Sequence, residues 1–161
     1  MVTSSLGSIA ALVGAFGPPV LAIVTIGSVI SSGVDTTGLE LLFIWQPVNI
    51  GINTVLKWVI DENRPLNPIH VNQLERMIDT GTKGMPSGHA QMSSSVVVLA
   101  YRLSRPAYLI VAVTVQCMIT LWQRHAYRKH TMIQLAFGLF AGFLYSLFFS
   151  NFVTKHLTEI A

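Results

Sequence analysis

Apolar residues in this chain run in long blocks separated by short polar stretches. Leu6 to Ile30 is a run of 25 apolar or small residues, long enough to cross a bilayer with some tilt. Gly17-Pro18-Pro19 in its middle predicts a kink. After the polar turn Ser31 to Gly38, a second run of 22 residues spans Leu39 to Ile60. Gln46, Pro47, Asn49 and Asn53 interrupt it, and polar groups of that kind are expected to face the bundle because they are costly in lipid. A third run begins near Ser87 and ends at Tyr101, with Arg102 and Arg105 beyond it. Pro106 opens a fourth, which reaches Trp122. His130 or Thr131 opens a fifth, which ends near Phe149 before a short tail. Asp61 to Gly84 is the long polar loop, broken by Pro65, Pro68, Gly81 and Gly84, and Val71 to Ile78 within it reads as a short interfacial helix. The pattern predicts an all-α polytopic membrane bundle of about five transmembrane helices, a single domain over residues 1–161.

Composition agrees with the pattern. Charged residues make up 11% and hydrophobic residues 52% of the chain, where a soluble domain carries about 25% charged residues. Met1 to Ser5 holds no basic residue, unlike the start of a cleavable signal peptide, so the first span is expected to be retained. Cys117 is alone in an apolar run, which excludes a disulfide framework and a zinc-type cysteine spacing. The formal charge of +3 resides at the ends of apolar runs, a placement that argues against nucleic acid.

Three polar clusters remain: Lys57 to Pro65, Met85 to Gln91, and Arg124 to Gln134. If each run reverses direction, the first follows span two, the second opens span three, and the third joins spans four and five. All three then lie on one membrane face. The turn Met85-Pro86-Ser87-Gly88-His89 opens into a helix, whose free N–H groups and positive dipole end suit an anionic phosphoryl group.

These clusters resemble the motifs of the type 2 phosphatidic acid phosphatase superfamily, integral-membrane phosphatases that share a helical core with vanadium haloperoxidases. Lys57 followed by Arg64-Pro65 matches the first motif, and Pro86-Ser87-Gly88-His89 matches the second. Arg124 and His130 match the third, with Gln123 in place of its serine and Gln134 in place of its aspartate. The resemblance covers roughly Lys57 to Gly142. Gly84-Met85-Pro86-Ser87, His89, Gln91, and His130-Thr131 with Gln134 are similar to the dolichyl-diphosphatase branch.

The resemblance implies site roles. Lys57, Arg64 and Arg124, with the Ser87 hydroxyl and the Gly88 N–H, would bind the phosphate and stabilise its transition-state charge. His130 would be the nucleophile, forming a phosphohistidine, and His89 the general acid and base. Gln134, four residues on from His130, would accept the imidazole N–H and set its tautomer. The positive end of the following helix is expected to help keep His130 neutral. His70, His125 and His156 fall outside the motifs and are expected at interface or loop positions. Asp61, Glu62, Glu75 and Asp79 lack a metal-ligand spacing and are expected in a solvated loop, and this constellation requires no metal or other cofactor. Phe137, Phe140, Phe143, Tyr145, Phe148 and Phe149 are expected to pack or to face lipid, including an isoprenoid chain.

The activity so implied is hydrolysis of a polyisoprenyl (dolichyl) diphosphate to the monophosphate and phosphate, supporting lipid-carrier recycling for glycosylation. A broad phosphatidic acid or lipid phosphate phosphatase is an alternative, and so is an inactive lipid-binding member of the fold. A channel or transporter is disfavoured because the polar residues gather at one face. The expected partners are a lipid phosphate substrate and the bilayer. The resemblance places the chain in the endoplasmic reticulum membrane with the site facing the lumen. Seven cations lie on the site face against three opposite (Arg102, Arg105 and Lys155), which the positive-inside rule would put in the cytoplasm. Removing the three phosphate ligands leaves four against three, and the count no longer decides.

Overall fold

The structure is a computed structural model that describes residues 5–156, and it is helical throughout. The elements are α1 (Ser5–Ile30), α2 (Thr36–Ile60), α3 (Gln73–Ile78), α4 (Gly88–Arg102), α5 (Ala107–Ala126) and α6 (Met132–Val153), followed by a 3₁₀ turn at Thr154–His156. Asp35 caps α2 by accepting from the Gly38 N–H, and Thr131 and Gln134 close the start of α6 with a reciprocal capping box. Pro18 and Pro19 lie inside α1, which continues through them.

Among the described residues four helices are long and apolar enough, by length and composition, to cross a membrane: α1 from Ser8, then α2, α5 and α6. The third run of the sequence is α4, the shortest of the five long helices. α4 has 15 residues, about 22 Å at 1.5 Å per residue, short of a hydrocarbon core of about 30 Å. Its neighbours explain how it is accommodated. It packs against α1, α2, α5 and α6, so its serine-rich surface faces helices and not lipid. Ser93, Ser94, Ser95 and Gln91 are all buried.

The expectation that polar residues of the second run face inward holds for three of them. Asn53 Nδ2 donates to Gln91 Oε1 at 2.8 Å, and Gln91 Nε2 donates to Asn49 Oδ1 at 2.7 Å. Asn49 and Gln46 both reach Ser95 Oγ, at 3.1 and 3.3 Å. This ladder locks α2 to α4 and satisfies amides that would otherwise be costly to bury. Pro47, by contrast, is exposed on the outer face of α2.

On the other side of α4, two glycines of α6 allow a close approach. A Cβ on Gly138 would lie 2.5 Å from the Ser87 carbonyl oxygen, and one on Gly142 only 2.1 Å from that of Gln91. Gly14 and Gly17 let α1 meet Gln123 and Gln116 of α5 in the same way. Away from the site, Leu42, Trp45, Val96, Leu99, Leu109 and Val113 belong to the apolar core. Phe137, Phe140, Phe143 and Phe148 are exposed on the outer face of α6.

The long loop is a folded lobe. Asp61 ends α2 in the left-handed conformation at φ 55°. The two ends of the loop then pair, Arg64 N–H with Thr82 O at 3.0 Å and Gly84 N–H with Glu62 O at 2.8 Å. A further bond, Ile69 N–H to Tyr127 O at 2.9 Å, ties the loop to the α5–α6 turn. The expected short helix is present as α3, capped by Asn72.

Candidate active site

The three polar clusters meet at one end of the bundle. The α5–α6 turn folds back so that the Lys129 and His130 N–H groups both donate to the Arg124 carbonyl, at 2.9 and 3.2 Å. This puts a histidine and an arginine from one motif on opposite sides of a single turn. Ser87 N–H donates to the Gln134 carbonyl at 3.1 Å, which joins the second motif to the third. Lys57 Nζ and Arg64 Nε donate to the same acceptor, the Lys83 carbonyl, both at 3.3 Å. The first motif thereby reaches the loop residue next to Gly84.

His130 is buried, with 3% of its surface exposed. Its Nδ1 lies 2.9 Å from the Gly84 carbonyl and 3.3 Å from Gln134 Oε1. Both atoms only accept, so Nδ1 carries the proton. Among the described residues Nε2 has no hydrogen-bond partner, and it bears the lone pair. The closer tether is thus the backbone of Gly84, with Gln134 second. Burial, followed by the positive charges of Arg64, Lys57 and Arg124, lowers the His130 pKa to about 3. The imidazole is held neutral by desolvation and these cations.

Gln134 is fully buried and uses both ends of its amide. Its Nε2 donates to Glu62 Oε1 at 2.6 Å and to the Asn63 carbonyl at 2.9 Å. Its Oε1 accepts from the Thr131 N–H at 3.2 Å, completing the capping box. Gly84 makes room for it, since a Cβ there would lie 2.6 Å from both amide heavy atoms.

His89 stands at the first turn of α4. Its Nε2 is 2.6 Å from Arg124 Nη2 and 3.1 Å from the Ala15 carbonyl of α1. Arginine only donates and a carbonyl only accepts, so Nε2 serves one at a time. Bare, it accepts from Arg124. Protonated, it donates to Ala15. Ser87 caps α4, its Oγ accepting from the Ala90 N–H at 3.4 Å, and Gly88 follows with Asn53 close behind it.

Two loop carboxylates that were expected in solvent are instead inside the site. Glu75 is 3% exposed and lies 3.1 Å from Arg124 Nη1 and 3.6 Å from Lys129 Nζ. Asp79 bridges Arg64, Arg124 at 3.2 Å and Lys129 at 3.3 Å. The reason is electrostatic: buried cations need counter-charges, and the loop supplies them. Burial raises the Asp79 pKa, but Arg64, Arg124 and Lys129 outweigh it and hold the carboxyl well below its ordinary range. Asp61 and Glu62 remain exposed.

Lys129, which no motif marks, is fully buried. Its Nζ donates to His70 Nδ1 at 2.7 Å, and burial lowers its pKa against the pull of Glu75 and Asp79. Adjacency to His130 was the signal in the sequence. His70 is therefore tied to the site, while His125 is exposed. The side chain of His156 lies outside the described residues. Arg124 Nε is buried with no hydrogen-bond partner, as is Gln123 Oε1. Among the described residues no group of three His, Cys, Asp or Glu side chains is placed to hold a metal ion.

A family model described as the PAP2 superfamily matches residues 40–157. The chain belongs to the PAP2 superfamily. Its fold is also similar to the crystal structure of a transmembrane PAP2 type phosphatidylglycerolphosphate phosphatase from Bacillus subtilis. The two chains are 16% identical with a TM-score of 0.68, over 99% of this chain and 82% of the other. No curated protein matches the chain. The PAP2 match covers α2 to α6 and so includes all three clusters. α1 lies before it but contributes the Ala15 carbonyl to the site.

Proposed function

We propose that this PAP2 member is a metal-independent lipid phosphatase that hydrolyses a polyisoprenyl diphosphate to the monophosphate through a phosphohistidine. The observation that carries the reading is His130: a buried, neutral imidazole with Nδ1 tethered and Nε2 bare, in the field of three cations. A neutral nitrogen with a fixed lone pair is what an in-line attack on phosphorus needs.

In the first step Nε2 of His130 bonds to the terminal phosphorus, and the bond to the bridging oxygen breaks. The leaving polyisoprenyl monophosphate takes a proton from His89. In the second step His89 removes a proton from water, whose oxygen bonds to phosphorus. The P–N bond breaks, its electron pair returns to Nε2, and inorganic phosphate is released. Lys57, Arg64 and Arg124 neutralise the charge spread over the equatorial oxygens. Arg124 Nε, buried and unpartnered, is a donor that a phosphoryl oxygen would satisfy. Four cations (Lys57, Arg64, Arg124 and Lys129) face two carboxylates, Glu75 and Asp79, a surplus of positive charge that suits a polyanion. A phosphomonoester leaves more readily than an alkoxide, which favours the diphosphate over a monoester substrate.

An apolar groove supports the lipid part of this reading. A groove of about 570 Å³ lies between α2 and α6, lined almost entirely by apolar side chains that include Leu56, Pro86, Phe137, Phe140 and Phe148. Pro86 precedes Ser87, so the groove starts beside the proposed phosphate ligands and follows α6 into the membrane.

The test is phosphate release in detergent with EDTA, comparing polyisoprenyl diphosphate, polyisoprenyl monophosphate and phosphatidic acid. Release from the diphosphate, abolished by His130→Ala, is the expected result. Equal release from all three would shift the reading to a general lipid phosphatase. Turnover that survives His130→Ala would remove the phosphohistidine.

A further inference from the structure

Gln134 alone does not fix its own direction. An amide has a donor end and an acceptor end of nearly equal shape, and only the partners decide which faces the imidazole. Here the partners on one side are Glu62 Oε1 and the Asn63 carbonyl, at 2.6 and 2.9 Å. Neither can donate, so the amide nitrogen must lie on that side. The oxygen is then left for the Thr131 N–H and His130 Nδ1.

Glu62 also differs from the other carboxylates of the site. Asp79 is matched by Arg64, Arg124 and Lys129, and Glu75 by Arg124 and Lys129. Among the described residues Glu62 has no ion-pair partner. Its one side-chain hydrogen bond runs through Gln134 to the imidazole. When Nε2 of His130 attacks phosphorus, positive charge develops on the ring, and the Nδ1–H bond to an acceptor strengthens. An amide whose N–H bonds to a carboxylate has a more negative oxygen than one bonded to a neutral group.

We infer that Glu62 is a positioning residue for His130, holding the Gln134 amide in the productive direction and polarising it through the Glu62–Gln134–His130 hydrogen-bond chain. The inference rests on His130 being the nucleophile. It does not require Glu62 to touch substrate, and the effect belongs to turnover rather than to binding.

Glu62→Gln keeps the shape of an exposed side chain and removes its charge. The expected result is a fall in kcat on the order of 10-fold with KM within about twofold, typical of a supporting hydrogen-bond partner. Combining it with Gln134→Glu exchanges the two groups, leaving an amide at the outer position and a carboxylate against the imidazole. This exchange is expected to recover part of the lost kcat, which a residue that merely braced the loop would not allow. Thermal melts in detergent check that each variant folds. The inference is overturned if kcat of Glu62→Gln stays within twofold of wild type, if the loss is in KM, or if the exchange recovers nothing. His130→Ala run alongside separates the two readings. Its loss of turnover with an unaffected Glu62→Gln defeats only the present inference, whereas turnover without His130 defeats both. Failure of the wild-type protein to release phosphate from polyisoprenyl diphosphate or phosphatidic acid would also defeat both.

Discussion

His130 has given up most of its basicity, and its pKa of about 3 has a consequence for stability. An unfolded chain would hold a histidine with a pKa near 6.5. Between pH 6.5 and 3 the unfolded state therefore binds more protons than the folded one, and stability falls as pH falls through that window. Asp79 acts in the same direction lower down, where its depressed carboxyl begins to protonate in the unfolded chain below about pH 4. The melting temperature in detergent is accordingly expected to drop between pH 7 and pH 4.5, and His130→Ala is expected to flatten that slope. The motif residues themselves were legible, because three fixed spacings place cations and histidines together. The atom that holds His130 was not. The Gly84 carbonyl is backbone, and no side-chain pattern announces which carbonyl a folded loop will present. Gln134 was legible as a partner of His130 by its i+4 spacing, whereas its second role in the capping box lay in the same letters, Thr131 to Gln134.

Among the elements, α3 carries more than a short interfacial helix would. Glu75 on α3 accepts from Val71 N–H at 2.7 Å and from Gln123 Nε2 at 3.4 Å in addition to its ion pairs. Glu75→Gln removes the charge that balances Arg124 and Lys129. Breaking a buried pair in this way costs about 3 kcal/mol or more. The expected outcome is a clear fall in melting temperature, with KM for the lipid phosphate rising because Arg124 loses its seat. A melt unchanged from wild type would contradict the account of α3 as the counter-charge of the site. This loop was misread from sequence because its carboxylates show no ligand spacing, and charge in a polar loop is ordinarily solvated. Only the fold shows that Arg124 and Lys129 leave water and need partners. The same limit applied to α4, whose run of apolar and small residues was legible while its enclosure by four helices was not.

At the scale of the molecule, the site opens at one end of the bundle and the apolar groove descends from it between α2 and α6. Ala141, part of that groove, is where a bulky substitution would obstruct it. Ala141→Trp is expected to raise KM several-fold for a long-chain polyisoprenyl diphosphate and less for a short-chain one, as read by phosphate release from the two. An equal effect on both would mean that the chain lies elsewhere. The bundle also constrains how the protein can be made. α4, which bears His89 and is capped by Ser87, is poorly suited to enter hydrocarbon by itself, because Gln91 and the three serines after Met92 would each bring a polar group with them. It must be received by neighbours, and one of these, α6, is synthesised after it. A chain halted before α6 would therefore keep His130 but lose Gln134 and the helix face that receives α4. Its second motif would have no settled depth in the bilayer, so the machinery that inserts the chain has to shelter α4 until its last partner arrives.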